Sequence, residues 1–152
     1  MIILIGGAPK TGKSYLAHNI AKQKNGKVIE LDTLMLEWNL SVSDKDFSKK
    51  LPVWQAKRDG KKSTIEDYRV EAQTYWPAIK LLIDSELNKT SVSIIEGAQL
   101  SPKLLRQWLD SLNDKQSRSV EVIFLSHSSA PLNSEFKADA EVNGFKTVQR
   151  DM

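Results

Sequence analysis

Residues 4–16, LIGGAPKTGKSYL, place an apolar run, a glycine-containing bend and the start of a helical pattern directly after one another. The apolar run belongs to IILIG (2–6), which is continuous and rich in isoleucine, as in a strand buried on both faces. From Lys13 to about Gln23, apolar residues recur at helical spacing, and Asn25-Gly26 supplies a stop signal. The stretch therefore predicts a strand, a tight loop and a helix in immediate succession.

The loop of this unit matches the phosphate-binding (Walker A) pattern G-x-x-x-x-G-K-[ST] in full. Glycines at both ends allow successive backbone N–H groups to point inward around a phosphate, and the helix that follows adds the positive end of its dipole. The lysine is expected to reach the β- and γ-phosphates, and the serine hydroxyl to ligate Mg²⁺. The predicted nucleotide-binding residues are Gly7, Ala8, Pro9, Lys10, Thr11, Gly12, Lys13, Ser14 and the adjacent Tyr15.

Further strands and helices alternate along the chain. Strands are predicted over KVIELD (27–32), SVSIIEG (91–97), VEVIFLS (120–126) and, more weakly patterned, FKTVQ (145–149). This alternation predicts one α/β domain over residues 1–152, a three-layer sandwich with a mostly parallel sheet of about five strands and helices on both faces.

The helices between these strands carry their own start signals. A short helix is predicted over 33–40 and a long one over about 64–88, where Ser63 and Glu66 have the spacing of a capping box. Pro77 is expected to kink or split the long helix, because it removes one helical hydrogen bond. Ser101-Pro102 provides an N-cap and first-turn pair for the helix KLLRQWLDSL.

Composition limits the class of protein. The 152 residues contain no cysteine, so neither a disulfide framework nor a thiolate metal site can form. The chain begins without a basic, signal-like segment and has no apolar run of roughly 20 residues, so a cytoplasmic protein without a membrane contact is expected. Residues 44–62 hold seven positive against three negative side chains. Such a run is either a solvated face or a surface that collects an anionic substrate.

The loop and its setting resemble the P-loop NTPases, and the small size and early loop look like their small-kinase branch. That branch includes nucleoside monophosphate kinases, shikimate kinase, 2-phosphoglycerate kinase, chloramphenicol phosphotransferase and the zeta-toxin kinases. The resemblance implies ATP or GTP with Mg²⁺ as ligands. ATP is favoured, since nothing in the chain resembles the guanine-reading N/T-K-x-D motif.

Two carboxylates are predicted at strand ends, where open parallel sheets bind their ligands. Asp32 follows the second strand. The segment ELDTLM is similar to that of antibiotic- and sugar-phosphorylating kinases, in which the aspartate prepares the attacking hydroxyl. The alternative is that Asp32 is the N-cap of a helix that begins at Thr33. Glu96 ends the third strand, where a Walker B group supports Mg²⁺, and IEGAQL resembles the segment of 2-phosphoglycerate kinase-like proteins. A plain strand-end carboxylate is the alternative for Glu96.

The phosphoryl acceptor is expected to bind to an insertion at 38–76, where aromatic residues lie beside the basic run. An acceptor with a ring and a negative charge would suit it, although such aromatics also pack helices together. The predicted substrate contacts are Trp38, Arg58, Arg69 and Gln99. Residues 127–144 are expected to form a reduced lid, and 127–149 contain no arginine. Small kinases usually carry a lid arginine there, so Arg58, Arg69, Arg106 or a lysine would have to replace it.

These features favour a Mg-ATP-dependent kinase for a small hydroxyl- or phosphate-bearing molecule, with Lys13 and Asp32 as catalytic residues and Ser14 and Glu96 at the metal. The alternative is a nucleotide-binding module with little or no transfer, which the arginine-free tail favours. A nucleic-acid end kinase rests on the basic run alone, so no nucleic-acid partner is expected.

Overall fold

The computed structural model describes residues 1–41 and 50–150, and these residues build a five-stranded, fully parallel sheet in the order β2-β3-β1-β4-β5. Its strands are β1 (Ile2–Gly7), β2 (Lys27–Glu30), β3 (Ser93–Glu96), β4 (Val120–Ser126) and β5 (Thr147–Gln149). β1 is central, so the loop that follows it leaves the middle of the sheet at its carboxyl edge. The fold prediction is confirmed.

The helices of the described residues connect these strands. They are α1 (Lys13–Lys24), α2 (Leu31–Ser41), α3 (Pro52–Arg58), α4 (Ile65–Leu87), α5 (Pro102–Asp110), α6 (Asp114–Ser117) and α7 (Asn133–Val142). Asn25 ends α1 in the left-handed conformation, and the Ser101 hydroxyl caps α5, as their sequence signals predict. None of these helices is long and apolar enough to cross a membrane.

The central strand is buried on both faces, as its unbroken apolar run predicts. Ile3 and Ile5 pack with α1 on one face of the sheet. Ile2 and Leu4 face the larger core on the other side, which α2, α4, α5 and α7 help to cover. This alternation gives the sheet a helical layer on each face.

Several predicted boundaries are wrong. β2 ends at Glu30 and α2 begins at Leu31, so Asp32 lies in the first turn of a helix and neither ends the strand nor caps a helix starting at Thr33. The capping box of α4 is formed by Thr64 and Asp67, one residue after the predicted pair. The start of α2 thus lies two residues before the predicted one, and the cap of α4 one residue after it.

The long helix α4 continues without a break through Pro77. A proline removes one backbone donor, while the rest of the helix retains its bonds and its buried face, which includes Tyr75, Ile79 and Ile83. The helices α3, α6 and α7 were not predicted from the sequence. Neither α3 nor α7 has a side-chain N-cap, although α3 begins with Pro52, and Asn113 caps α6.

Candidate active site

The loop between β1 and α1 has the conformation of a phosphate cradle. Gly7, Lys10 and Gly12 all have positive φ, the kind of backbone conformation that lets successive N–H groups surround a phosphate. A side chain at Gly7 would meet the carbonyl oxygen of Leu125 on β4. The Thr11 hydroxyl donates to the Ala8 carbonyl at 2.9 Å and closes the turn from inside. The sequence thus builds a pre-formed, glycine-dependent loop.

Lys13 opens α1 and points back into this loop. Its ammonium donates to the Ala8 carbonyl at 2.7 Å, and the residue is only 8% exposed. Burial lowers the pKa of Lys13; nearby Glu96 and Asp32 oppose the shift, while Lys57 adds to it. A buried cation held by a single carbonyl is well placed to exchange that partner for the more strongly interacting oxygens of a phosphate.

Ser14 and Glu96 are brought together from residues far apart in the sequence. The Ser14 hydroxyl donates to the Glu96 carboxylate at 3.0 Å, across the boundary between α1 and the end of β3. Glu96 is 4% exposed, and burial raises its pKa against the effects of the Ser14 bond and Lys13. A hydroxyl and a buried carboxylate are hard oxygen donors that suit Mg²⁺, and a divalent cation would offset the desolvation of Glu96.

Asp32 lies in the first turn of α2, close enough to Lys13 for its charge to influence the lysine. It is exposed, and its Oδ1 accepts a hydrogen bond of 2.6 Å from the Gln99 amide. The Oε1 atom of the same Gln99 amide is buried, has no hydrogen-bond partner among the described residues, and packs against Gly97. A side chain at Gly97 would collide with this amide and with Leu31. Gln99, whose amide is tightly packed against Gly97, therefore orients the carboxylate of Asp32.

These groups surround one open cleft of about 940 Å³. Its lining contains four cations and three carboxylates, besides aromatic and apolar side chains. The charged members are Lys10, Lys13, Lys57, Arg58, Asp32, Glu71 and Glu96. The volume is in the range of small-molecule sites and exceeds what phosphates alone would fill.

Helix α3 forms one wall of the cleft, and Glu71 of α4 holds this helix in place. The buried carboxylate of Glu71 accepts hydrogen bonds from the backbone N–H groups of Val53 and Trp54, at 2.6 and 3.1 Å. It thereby satisfies two free donors in the first turn of α3 and orients the rest of that helix. Lys57 and Arg58 stand at the other end of α3, where Arg58 lies over the Trp54 ring at 5.2 Å.

Two tyrosines of α4 complete this wall. Burial, together with the nearby carboxylates of Asp32 and Glu71, raises the pKa of Tyr68 to about 12. Burial likewise raises the pKa of Tyr75 to about 12, against the hydrogen bond that its hydroxyl donates to Asn39. Both phenols are therefore neutral at physiological pH, and both residues line the cleft.

The predicted substrate residues separate into two groups. Arg58 and Gln99 line the cleft, and Trp38 contacts its wall through the Tyr75 ring, at 6.4 Å between ring centroids. Arg69 points elsewhere and forms two hydrogen bonds with Asp139 of α7, at 2.7 and 3.0 Å. Lys45 and Lys49 of the basic run lie outside the described residues.

Two arginines outside the predicted substrate contacts, Arg106 and Arg150, take different positions relative to the loop. Arg106 is held by the Asn143 carbonyl and lies over the Phe145 ring, remote from the loop. Arg150, directly after β5, instead donates to the Gly12 carbonyl at 3.2 Å and lies over the Tyr15 ring at 5.3 Å. The place of Arg150 could not be predicted from the sequence, because only the pairing of β4 with β5 brings this residue to the loop.

Comparisons with known proteins give a likeness of fold. No family model and no curated protein sequence matches this chain. Its structure is similar to that of a shikimate kinase from Aquifex aeolicus vf5, with a TM-score of 0.53 and 14% identity over 98% of this chain and 85% of that one. It is also similar to a gluconokinase from Sinorhizobium meliloti 1021, with a TM-score of 0.47 and 15% identity over 97% of this chain and 79% of that one. At such identities the first similarity establishes a shared fold.

Proposed function

We propose that this chain is a Mg-ATP-dependent phosphotransferase acting on a small hydroxyl- or phosphate-bearing molecule. One observation carries the proposal: the phosphate cradle, the Ser14–Glu96 pair and the Gln99-oriented Asp32 all face a single cleft. A purely structural arrangement would not need a buried lysine, a buried carboxylate and an exposed carboxylate around open space. The fold shared with a shikimate kinase supports the same class of reaction.

In this proposal the loop holds the triphosphate. The backbone N–H groups of residues 7–14, except that of Pro9, which has none, surround the phosphates, and Lys13 leaves the Ala8 carbonyl to bind the β- and γ-phosphate oxygens. Ser14 and Glu96 would hold Mg²⁺, directly or through its water shell. When bound, the metal neutralises charge on the phosphate oxygens. Tyr15, at the start of α1, would extend the nucleotide site beyond the phosphates.

The acceptor would lie between Asp32 and α3. The oxygen of the acceptor hydroxyl attacks the γ-phosphorus while Asp32 takes the proton of that hydroxyl. The bond from the γ-phosphorus to the leaving ADP oxygen breaks in the same step. Gln99 keeps the Asp32 carboxylate turned toward the cleft. Lys57 and Arg58 of α3 favour an acceptor that carries negative charge, and Trp54, Tyr68 and Tyr75 favour one with an apolar or ring-shaped part.

The second candidate is a nucleotide-binding module that transfers little or no phosphate. It is favoured by the absence of arginine from residues 127–149, because positive charge around the moving phosphoryl group is a main source of catalysis. Arg58 is the cleft-lining arginine that could supply that charge in the kinase.

The two candidates differ in acceptor-dependent ADP release. The assay supplies Mg-ATP with pooled nucleosides, nucleotides, sugars, phosphoglycerates and hydroxylated antibiotics, and Lys13→Ala gives the background. A signal absent from Lys13→Ala supports the kinase, and division of the active pool identifies the acceptor class. ATP binding without release in any pool would favour the binding module. Failure of the wild-type chain to bind Mg-ATP would contradict both candidates.

A further inference from the structure

The side chain of Arg150 occupies a position that stability alone does not explain. Its guanidinium donates to the Gly12 carbonyl at 3.2 Å and lies over the Tyr15 ring at 5.3 Å, beside the first turn of α1. This end of a helix carries partial positive charge, so a cation there is disfavoured electrostatically. Among the described residues Arg150 has no carboxylate within ion-pair distance to compensate.

The second feature of this place is an exposed aromatic ring. Tyr15 is 66% exposed, although tyrosine is a residue that usually buries its ring. Tyr15 and Gly12 line the cleft, and the half-buried Arg150 stands against both of them at its edge. A planar guanidinium held over an aromatic ring offers a flat, cationic surface to a further π system.

The sheet order shows which part of a nucleotide would come here. Asp32 and Glu96 follow β2 and β3, on one side of the central strand β1, whereas Arg150 follows β5 on the other side. In the proposed function, on which this inference rests, the γ-phosphate faces Glu96 and Asp32. A triphosphate that crosses the loop in this direction leaves its nucleoside on the side of β4 and β5.

We propose that Arg150 and Tyr15 form the nucleoside subsite, with the guanidinium of Arg150 stacked on the base. The bond to the Gly12 carbonyl fixes the plane of the guanidinium and couples the subsite to the phosphate loop. The chain thereby contacts the base through the residue that ends its last strand. Arg150 acts in nucleotide binding and is remote from the reacting γ-phosphorus.

The test compares binding of Mg-ATP and of Mg-tripolyphosphate, which has the phosphates without the nucleoside, by calorimetry. Arg150→Ala is expected to weaken ATP binding about tenfold, equivalent to about 1.4 kcal/mol, and to leave tripolyphosphate binding unchanged. Arg150→Lys retains a positive charge and a donor for the Gly12 carbonyl but lacks the planar guanidinium. It is expected to lose as much ATP affinity as Arg150→Ala does. Arg106→Ala is the matched control, because Arg106 also bonds a backbone carbonyl and lies over an aromatic ring, away from the cleft.

Three outcomes would overturn the inference. The first is an unchanged ATP affinity in Arg150→Ala. The second is an equal fall of ATP and tripolyphosphate affinity, which would place the effect on the loop or the phosphates. The third is an ATP affinity of Arg150→Lys equal to that of the wild type, which would make charge sufficient. Failure of the proposed function gives a different result: the wild-type chain then binds neither ligand.

Discussion

Replacement of Glu71 by alanine should loosen α3, which forms a wall of the cleft, while leaving the phosphate loop intact. Glu71 is 7% exposed, and its carboxylate is the acceptor for the N–H groups of both Val53 and Trp54. Alanine would leave these two donors in the first turn of α3 without a partner. Lys57 and Arg58 stand on the same short helix, so the cationic side of the cleft would lose its fixed position.

The size of the effect follows from these two bonds. A hydrogen bond to a charged group contributes about 1.5–3 kcal/mol, and two bonds to one carboxylate are not fully additive. Burial raises the pKa of Glu71 against these two backbone bonds, so desolvation already offsets part of their gain. We therefore expect a loss of about 2–3 kcal/mol in unfolding free energy for Glu71→Ala. Glu71→Gln, which keeps an acceptor oxygen, should lose about 1 kcal/mol.

Urea unfolding followed by circular dichroism measures this loss, and acceptor KM and ATP Kd locate its effect on the site. Acceptor KM should rise in Glu71→Ala while ATP Kd stays within about twofold. Glu66→Ala is the matched control: Glu66 lies on the same helix, its side chain is 70% exposed and it pairs with Arg69 at 3.3 Å, so it should lose less than about 1 kcal/mol. Equal losses in the Glu71→Ala and Glu66→Ala variants would refute the capping role.

Three further predictions concern the proposed base, acid stability and an ion pair outside the cleft. Asp32→Asn should reduce turnover by about 10²–10⁴-fold with little change in ATP affinity, and unchanged turnover would remove Asp32 from the mechanism. Burial would raise the pKa of Glu86, but hydrogen bonds from Lys89, Ser93 and Lys27 outweigh it and hold that pKa at about 2. The stability from Glu86 is thus fully present above its ordinary pKa of 4.5 and is lost as the pH falls toward about 2. Unfolding measured at graded pH should show that Glu86→Gln loses less unfolding free energy between these two pH values than the wild type does. Arg69→Ala breaks an exposed pair with Asp139 and should lower stability by less than about 1 kcal/mol without altering ATP Kd, and a large rise in ATP Kd would show that α7 supports the nucleotide site.

The sequence predicts the parts of the fold whose signals are local. The apolar run of β1, the glycines of the loop and the Ser101-Pro102 start of α5 each specify their structure within a few residues. The same holds for the loop lysine and serine, whose spacing fixes their place at the start of α1. Glu96 could be placed because a short apolar strand ends directly at it.

Features that depend on contacts between distant segments could not be predicted. The start of α3 is capped by a carboxylate 18 residues further along the chain. Arg150 reaches Gly12 across 138 residues of sequence, through the pairing of the last two strands. Arg69, in contrast, has the charge expected of a substrate contact, yet its place on α4 turns it toward Asp139. The residues next to Glu71, Arg150 and Arg69 in the sequence give no sign of these three contacts.

Equilibrium binding of Mg-ATP to the wild-type chain and to Lys13→Ala tests the central claim most directly. Lys22→Ala is the control, since Lys22 is an exposed lysine of the same helix. We expect saturable binding of one Mg-ATP to the wild type and to Lys22→Ala, and a loss of affinity of at least about tenfold, or about 1.4 kcal/mol, in Lys13→Ala. Equal affinity in all three proteins, or no binding to the wild type, would contradict the assignment of residues 7–14 as a nucleotide-binding loop.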